Sequence, residues 1–144
     1  MRVKKEFTID FSHRLKDYEG ACRNIHWHTY RVIIFLHWTR QPTWNEKGMV
    51  IDFGYMKEIA KQIENEFDHK YVYENEDGAW HLINEAGFET KEVNYRPTAE
   101  NLSADFAIKV KNFLANKNKL DNINTIEVEV YETPTSSAKA MEII

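Results

Sequence analysis

Residues 26–38 read His-Trp-His-Thr-Tyr-Arg-Val-Ile-Ile-Phe-Leu-His-Trp. The run is dense in β-branched and aromatic side chains and predicts a strand. Upstream, Val3, Phe7, Ile9 and Phe11 share one parity, with Thr8, Asp10 and Ser12 on the other, so residues 3–13 predict a half-buried strand. His13 continues the apolar parity at its end. The stretch between the two strands, residues 14–25, holds Asp17, Gly20 and Asn24 and reads as a loop. It is too short for a helical crossover, so the strands are expected to be antiparallel.

Downstream, Gln41 to Gly48 is turn material, with Pro42 and Asn45, and Met49 to Asp52 reads as a short strand. Met56, Ile59, Ala60, Ile63 and Phe67 recur at the helical period, predicting a helix from about Gly54 to Phe67. Residues 79–93 suggest a hairpin of Ala79–Ile83 and Phe88–Val93 around a turn at Asn84–Gly87. Pro97 and Thr98 open a second helix, with Thr98 as N-cap and Leu102, Phe106, Val110, Phe113 and Leu114 as its buried stripe. Residues 124–132 alternate cleanly, with Ile126, Val128 and Val130 on one face and Thr125, Glu127 and Glu129 on the other. This order predicts an α+β domain with helices covering one face of a sheet. There is no repeat and no Gly/Pro/Ser-rich linker, so residues 1–144 are expected to form a single domain.

The composition bounds the function. The chain is 42% hydrophobic and 29% charged with a net charge of −4, which speaks against nucleic acid and against a basic membrane-binding patch. Its one cysteine, Cys22, excludes an intrachain disulfide. The charged N-terminus lacks a signal-peptide apolar core, and no apolar run reaches the ~20 residues that a bilayer needs. A cytoplasmic protein with no membrane partner is the expectation.

Residues i and i+2 of a strand share a face, roughly 7 Å apart along the chain. His26 and His28 can therefore reach one ion at the ~2.0–2.1 Å zinc–nitrogen distance, with His13 as third ligand from the neighbouring strand. Three unrelated histidines would give the same pattern. Cys22 reads either as a small inert hydrophobe or as a thiol made reactive by Arg23 and a nearby cation. Asp68-His69 reads as a helix C-terminal cap or as an acid–base pair. Glu132, on the buried parity, either reaches solvent at the strand end or meets the N–H edge of a ligand. Glu100 is a helix-dipole residue or a second anchor. His37 and His81 read as structural or surface histidines, and Glu74–Asp77 as a solvated acidic loop.

Taken together, Phe11-Ser-His13-Arg-Leu15, Cys22-Arg-Asn-Ile-His26-Trp-His28, Val50-Ile-Asp52-Phe53, Phe67-Asp68-His69-Lys-Tyr71, Arg96-Pro-Thr98-Ala-Glu100-Asn101-Leu102 and Tyr131-Glu132-Thr133-Pro134 resemble, in order, the blocks of the 6-pyruvoyltetrahydropterin synthase and queuosine-pathway 6-carboxytetrahydropterin synthase family. The resemblance implies a tunnelling fold (T-fold), with a four-stranded antiparallel sheet and two helices on one side. It also implies trimers or hexamers with active sites between subunits. By the same resemblance His13, His26 and His28 would hold Zn²⁺, while Cys22, Asp68 and His69 would move protons. Glu132 would anchor the pterin, with Thr98 and Glu100 lining its pocket, and the substrate would be 7,8-dihydroneopterin triphosphate. Arg14, Arg23 and Lys139 are candidates for its phosphates.

The resemblance points first to the carboxy-forming reaction. The pyruvoyl-forming reaction and a non-catalytic zinc or pterin scaffold are the alternatives. Two departures stand out: Trp27 takes the place of the family's usual glycine, and the stretch from His69 to Pro97 is longer than in compact bacterial members.

Overall fold

The computed structural model describes residues 1–40 and 47–144. Its frame is a six-stranded mixed sheet of β1 (Arg2–His13), β2 (His26–Trp38), β3 (Tyr71–Glu74), β4 (Thr90–Val93), β5 (Ile123–Thr133) and β6 (Ser136–Ile143), in the order β4-β3-β1-β2-β5-β6. Strands β1 (Arg2–His13) and β2 (His26–Trp38) pair antiparallel along their whole length, from Arg2 opposite His37 to His13 opposite His26. Strand β5 (Ile123–Thr133) joins β2 antiparallel, but the pairing begins at Arg31 opposite Tyr131. The segment of β2 from His26 to Tyr30 thus lacks β5 at its side, and this gap shapes the site described below. Strand β6 (Ser136–Ile143) closes the edge, antiparallel to β5.

Alternation sorts the side chains as expected. Ile9, Phe11, Tyr30, Val32, Ile34, Leu36, Ile126, Val128 and Val130 form the core on one face, and His13 lies on the same parity, 2% exposed. Glu127, on the parity read as polar, is nevertheless buried. It lies 3.3 Å from His37 and 3.2 Å from Lys139, on the side that also buries Ile33 and Phe35.

Two long helices cover the core face. In α1 (Phe53–Phe67) the predicted stripe of Met56, Ile59, Ala60, Ile63 and Phe67 is buried, and the Asp52 side chain accepts the Gly54 N–H at the N-terminus. The Met49–Asp52 strand is therefore corrected: Asp52 is the helix cap, and no sheet partner takes this segment. The predicted turn falls mostly on residues 41–46, outside the described residues, and Lys47 and Gly48 lie in a turn with positive φ. Helix α3 (Ala99–Asn116) begins at Thr98, whose hydroxyl accepts the Asn101 N–H, and buries all five predicted stripe residues. It lies across β5 and β6. Phe67 and Phe106 meet edge to face, with ring centroids 5.1 Å apart. Truncating either ring typically costs about 3–5 kcal/mol.

The 79–93 hairpin is also corrected. Residues Ala79–Glu85 form a short helix, α2, and only Thr90–Val93 is a strand, β4. It pairs parallel with β3 (Tyr71–Glu74), which in turn meets β1 in parallel at Ser12. The four-stranded antiparallel sheet with two helices is therefore β1-β2-β5-β6 with α1 and α3, extended by a parallel pair and one further helix. Asp77 starts this extension from a buried position, not from a solvated loop. Its carboxylate accepts from Arg14, from the Tyr71 hydroxyl and from the Ala79 N–H. Among the described residues, no helix is long and apolar enough to cross a membrane.

Candidate active site

His13, His26 and His28 converge at the open end of the β1–β2 ladder. One ligand atom from each, together with a Glu132 carboxylate oxygen, falls within a 4.8 Å sphere of mutual distances. Antiparallel register does this. His13 stands opposite His26, and His28 follows on the same face. Glu132 reaches the group because β5 has left β2 after Tyr131.

The backbone fixes the tautomers of two rings. His13 Nδ1 lies 2.7 Å from the Pro97 carbonyl, and His26 Nδ1 lies 2.7 Å from the Asn24 carbonyl. A carbonyl only accepts, so each Nδ1 carries the proton and each neutral ring presents a bare Nε2. Those two Nε2 atoms are 3.1 Å apart. As neutral rings neither can donate to the other, and a cation between them would complete the pair. His28 Nε2 tells the same story: it is buried without a hydrogen-bond partner among the described residues, although Glu132 Oε1 is 2.8 Å away, because the geometry is not that of a hydrogen bond. Three inward nitrogens and a carboxylate are a donor set that fits a divalent metal ion.

The electrostatics favour the neutral form of His13 and His28. Burial, the largest cause, holds His13 down to about 4; the Pro97 carbonyl works against it, and His26 and His28 add to the lowering. Burial likewise lowers His28, opposed by Glu132. Tyr30, two residues beyond His28 on the same parity, places its hydroxyl 3.4 Å from the His13 ring nitrogens. Burial raises its pKa, and the proximity of Glu132 and Cys22 adds to the effect. Spacing alone would have flagged Tyr30; nothing in the sequence marks the Pro97 and Asn24 carbonyls as the orienting acceptors.

Cys22 sits in a 3-10 turn, Ala21–Arg23, on the loop that leads into His26. Its carbonyl accepts the Leu15 N–H at 2.8 Å. Asp68 and His69 are elsewhere. Asp68 caps α1, its Oδ1 accepting the Asp10 N–H at 2.9 Å and its Oδ2 facing His69 Nδ1 at 2.7 Å. Burial alone would raise Asp68, but the Asp10 N–H and His69 hold it below the ordinary carboxylate range. The Asp68 hydrogen bond and charge raise the exposed His69 in turn. His69 has φ 57°, a left-handed conformation uncommon for a side chain of its size and held by its N–H bond to the Asp10 carbonyl.

Within one chain the predicted residues fall into two groups. A cavity of about 710 Å³ is lined by His28 and Glu132. Another of about 770 Å³ is lined by His69, Asp10 and Tyr71. Thr98 and Glu100 line neither: Thr98 caps α3 and Glu100 is exposed in its first turn. Arg14 is committed to Asp77 at 2.8 Å and Lys139 to Glu127 at 3.2 Å, which leaves neither as a free phosphate ligand.

Comparison with known proteins agrees with this geometry. A family model described as 6-pyruvoyl tetrahydropterin synthase matches residues 2–142. The 6-carboxy-5,6,7,8-tetrahydropterin synthase of Haemophilus influenzae is 31% identical, over 98% of this chain and 99% of that protein. The protein of the same name from Rickettsia conorii is 28% identical, over 93% and 95%. In structure, the 6-pyruvoyl tetrahydropterin synthase of Plasmodium falciparum superposes with a TM-score of 0.77 at 19% identity, covering 100% of this chain and 98% of that one. The fold is the tunnelling fold of these proteins.

Proposed function

The chain belongs to the 6-pyruvoyl tetrahydropterin synthase family, and on that premise we propose that it is a zinc-dependent 6-carboxy-5,6,7,8-tetrahydropterin synthase. Its substrate is 7,8-dihydroneopterin triphosphate, its by-products are triphosphate and acetaldehyde, and its product feeds 7-deazapurine (queuosine) synthesis. The observation that carries this reading is the convergence of His13, His26, His28 and Glu132 within 4.8 Å, with two bare Nε2 atoms facing each other. The shared name of the curated relatives supports the carboxy-forming branch.

His13, His26 and His28 would hold the zinc and leave a position open, as catalytic zinc requires. When bound, zinc would supply Lewis-acid chemistry there, acidifying hydroxyls of the substrate's side chain and polarising a forming carbonyl. Glu132 accepts from the N–H and amino edge of the pterin, and Thr98 and Glu100 complete that pocket from a neighbouring subunit. Cys22 and His69 move protons between the ring and the side chain. The Asp68 carboxylate holds His69 Nδ1–H, which makes Nε2 the transferring nitrogen. The separation of His69 from His28 within one chain supports an assembly, trimer or hexamer, whose sites lie between subunits.

The family model's own name favours a second reading, the pyruvoyl-forming reaction. A non-catalytic scaffold would have no use for Cys22, Asp68 and His69. Zinc-loaded protein incubated with 7,8-dihydroneopterin triphosphate, with products identified by mass, separates the three. The carboxy product with acetaldehyde is expected. A 6-pyruvoyl product without acetaldehyde would select the second reading, and bound, unreacted substrate the scaffold.

A further inference from the structure

Trp27 lines both the His28–Glu132 cavity and the His69 cavity, and we propose that its indole is the stacking surface for the flat head of the substrate and so a specificity determinant. The inference rests on the pterin reading above. Among the residues described as lining the two cavities, Trp27 alone lines both, the one with His28 and Glu132 and the one with His69. It is 77% exposed. Among the described residues no hydrogen bond or ring contact holds it, so its indole face and its N–H are both uncommitted.

The strand geometry explains how Trp27 serves both sides. Its neighbours His26 and His28 point to the core face, so the indole points away and does not compete for the ion. Because β5 parts from β2 at Arg31, the flank of Trp27 is not closed by the ladder. Ile25 and Phe88, 51% and 68% exposed, extend the apolar wall within the His69 cavity. Glu132 supplies the polar counterpart in the other cavity. A planar bicycle with a hydrogen-bonding edge requires both features: a carboxylate for the edge and an aromatic face for the ring. Stacking of a base-like ring on an aromatic side chain is typically worth about ten-fold in affinity or more.

Calorimetric titration of 7,8-dihydroneopterin into zinc-loaded wild type, Trp27→Phe, Trp27→Leu and Trp27→Gly tests this, with zinc content and sedimentation measured on each. Trp27→Phe should bind within about three-fold of wild type, because it keeps a flat face. Trp27→Leu and Trp27→Gly should bind about ten-fold more weakly or worse, with zinc and assembly unchanged. Wild-type affinity in Trp27→Leu would show that bulk alone suffices and would overturn the stacking role, as would unchanged binding by Trp27→Gly. Lost affinity seen only in variants that fall apart would overturn it too. Equal pterin binding by wild type and all variants refutes this inference alone; wild type that binds no pterin refutes the reading beneath it as well.

Discussion

His13 Nε2 and His26 Nε2 face each other across 3.1 Å, each ring having spent its N–H on a backbone carbonyl. Two lone pairs at that separation repel, so the folded chain stores a cation requirement at the end of its first two strands. Protonating His13 would relieve the repulsion, but burial holds its pKa down to about 4. A metal ion held between the rings would relieve the repulsion at neutral pH.

The metal-free protein should therefore lose stability in mild acid. The His13 pKa is lowered from 6.5 to about 4 on folding, so between those values the unfolded chain binds a proton that the folded chain refuses. Stability is full above pH 6.5, falls as the pH drops through this window, and levels off near pH 4. The gap corresponds to about 3 kcal/mol, and the lowered His28 acts in the same direction. Urea unfolding at pH 7 and pH 4.5 should show the loss in wild type and a much smaller one in His13→Gln. Equal pH dependence of the two would count against it.

Cys22→Ala should keep zinc and fold but lose rate, by about 10²–10⁴-fold, the usual contribution of an acid–base group. Turnover and metal content measured on the same sample decide the matter. Near-wild-type turnover would return Cys22 to the role of a small apolar residue.

Asp77 should matter for stability rather than for chemistry. Its side chain is 2% exposed and salt-bridged to Arg14 at 2.8 Å. Asp77→Ala leaves the Arg14 guanidinium without its partner and should cost about 3 kcal/mol. Asp77→Asn retains an acceptor for Tyr71 and the Ala79 N–H and should cost less. Denaturant midpoints of both variants check this, and equal, negligible shifts would refute it.

Two inactive variants should rescue each other. If each site takes its histidine ligands from one subunit and His69 from the next, then mixing His28→Ala with His69→Ala, with unfolding and refolding, should restore part of the activity. Sedimentation should show a trimer or larger. A monomer, or a mixture as inactive as its parts, would place the whole site within one chain.

The sequence carries the sheet core and the clustering of the three histidines plainly because both depend on local parity. Ile9, Phe11 and His13 alternate within one strand, and His26 and His28 need only a two-residue period. The long helices are equally plain, since Met56 through Phe67 and Leu102 through Leu114 each mark a continuous stripe. The rest depends on tertiary partners. Tyr71, Val72 and Tyr73 are all buried, so β3 shows no alternation. Strand β6 faces inward only with small residues such as Ala138 and Ala140, too weak a pattern to stand out from its polar surroundings. Helix α2 buries none of its residues, and its Trp80-His81-Leu82-Ile83 run resembles a strand; the Asp77 acceptor at its start, itself tied to distant Arg14, makes it helical. The position of Trp27 between two cavities depends on where β5 leaves β2, which no local spacing encodes.

If turnover depends on a metal held by His13, His26 and His28, it must follow the metal content of the protein. Metal-stripped protein should be titrated with Zn²⁺ while conversion of 7,8-dihydroneopterin triphosphate is followed. Activity should rise from baseline and saturate at one zinc per subunit, and His28→Ala should recover none at that stoichiometry. Full turnover by the stripped protein, or wild-type recovery in His28→Ala, would show that these histidines do not hold a metal needed for turnover.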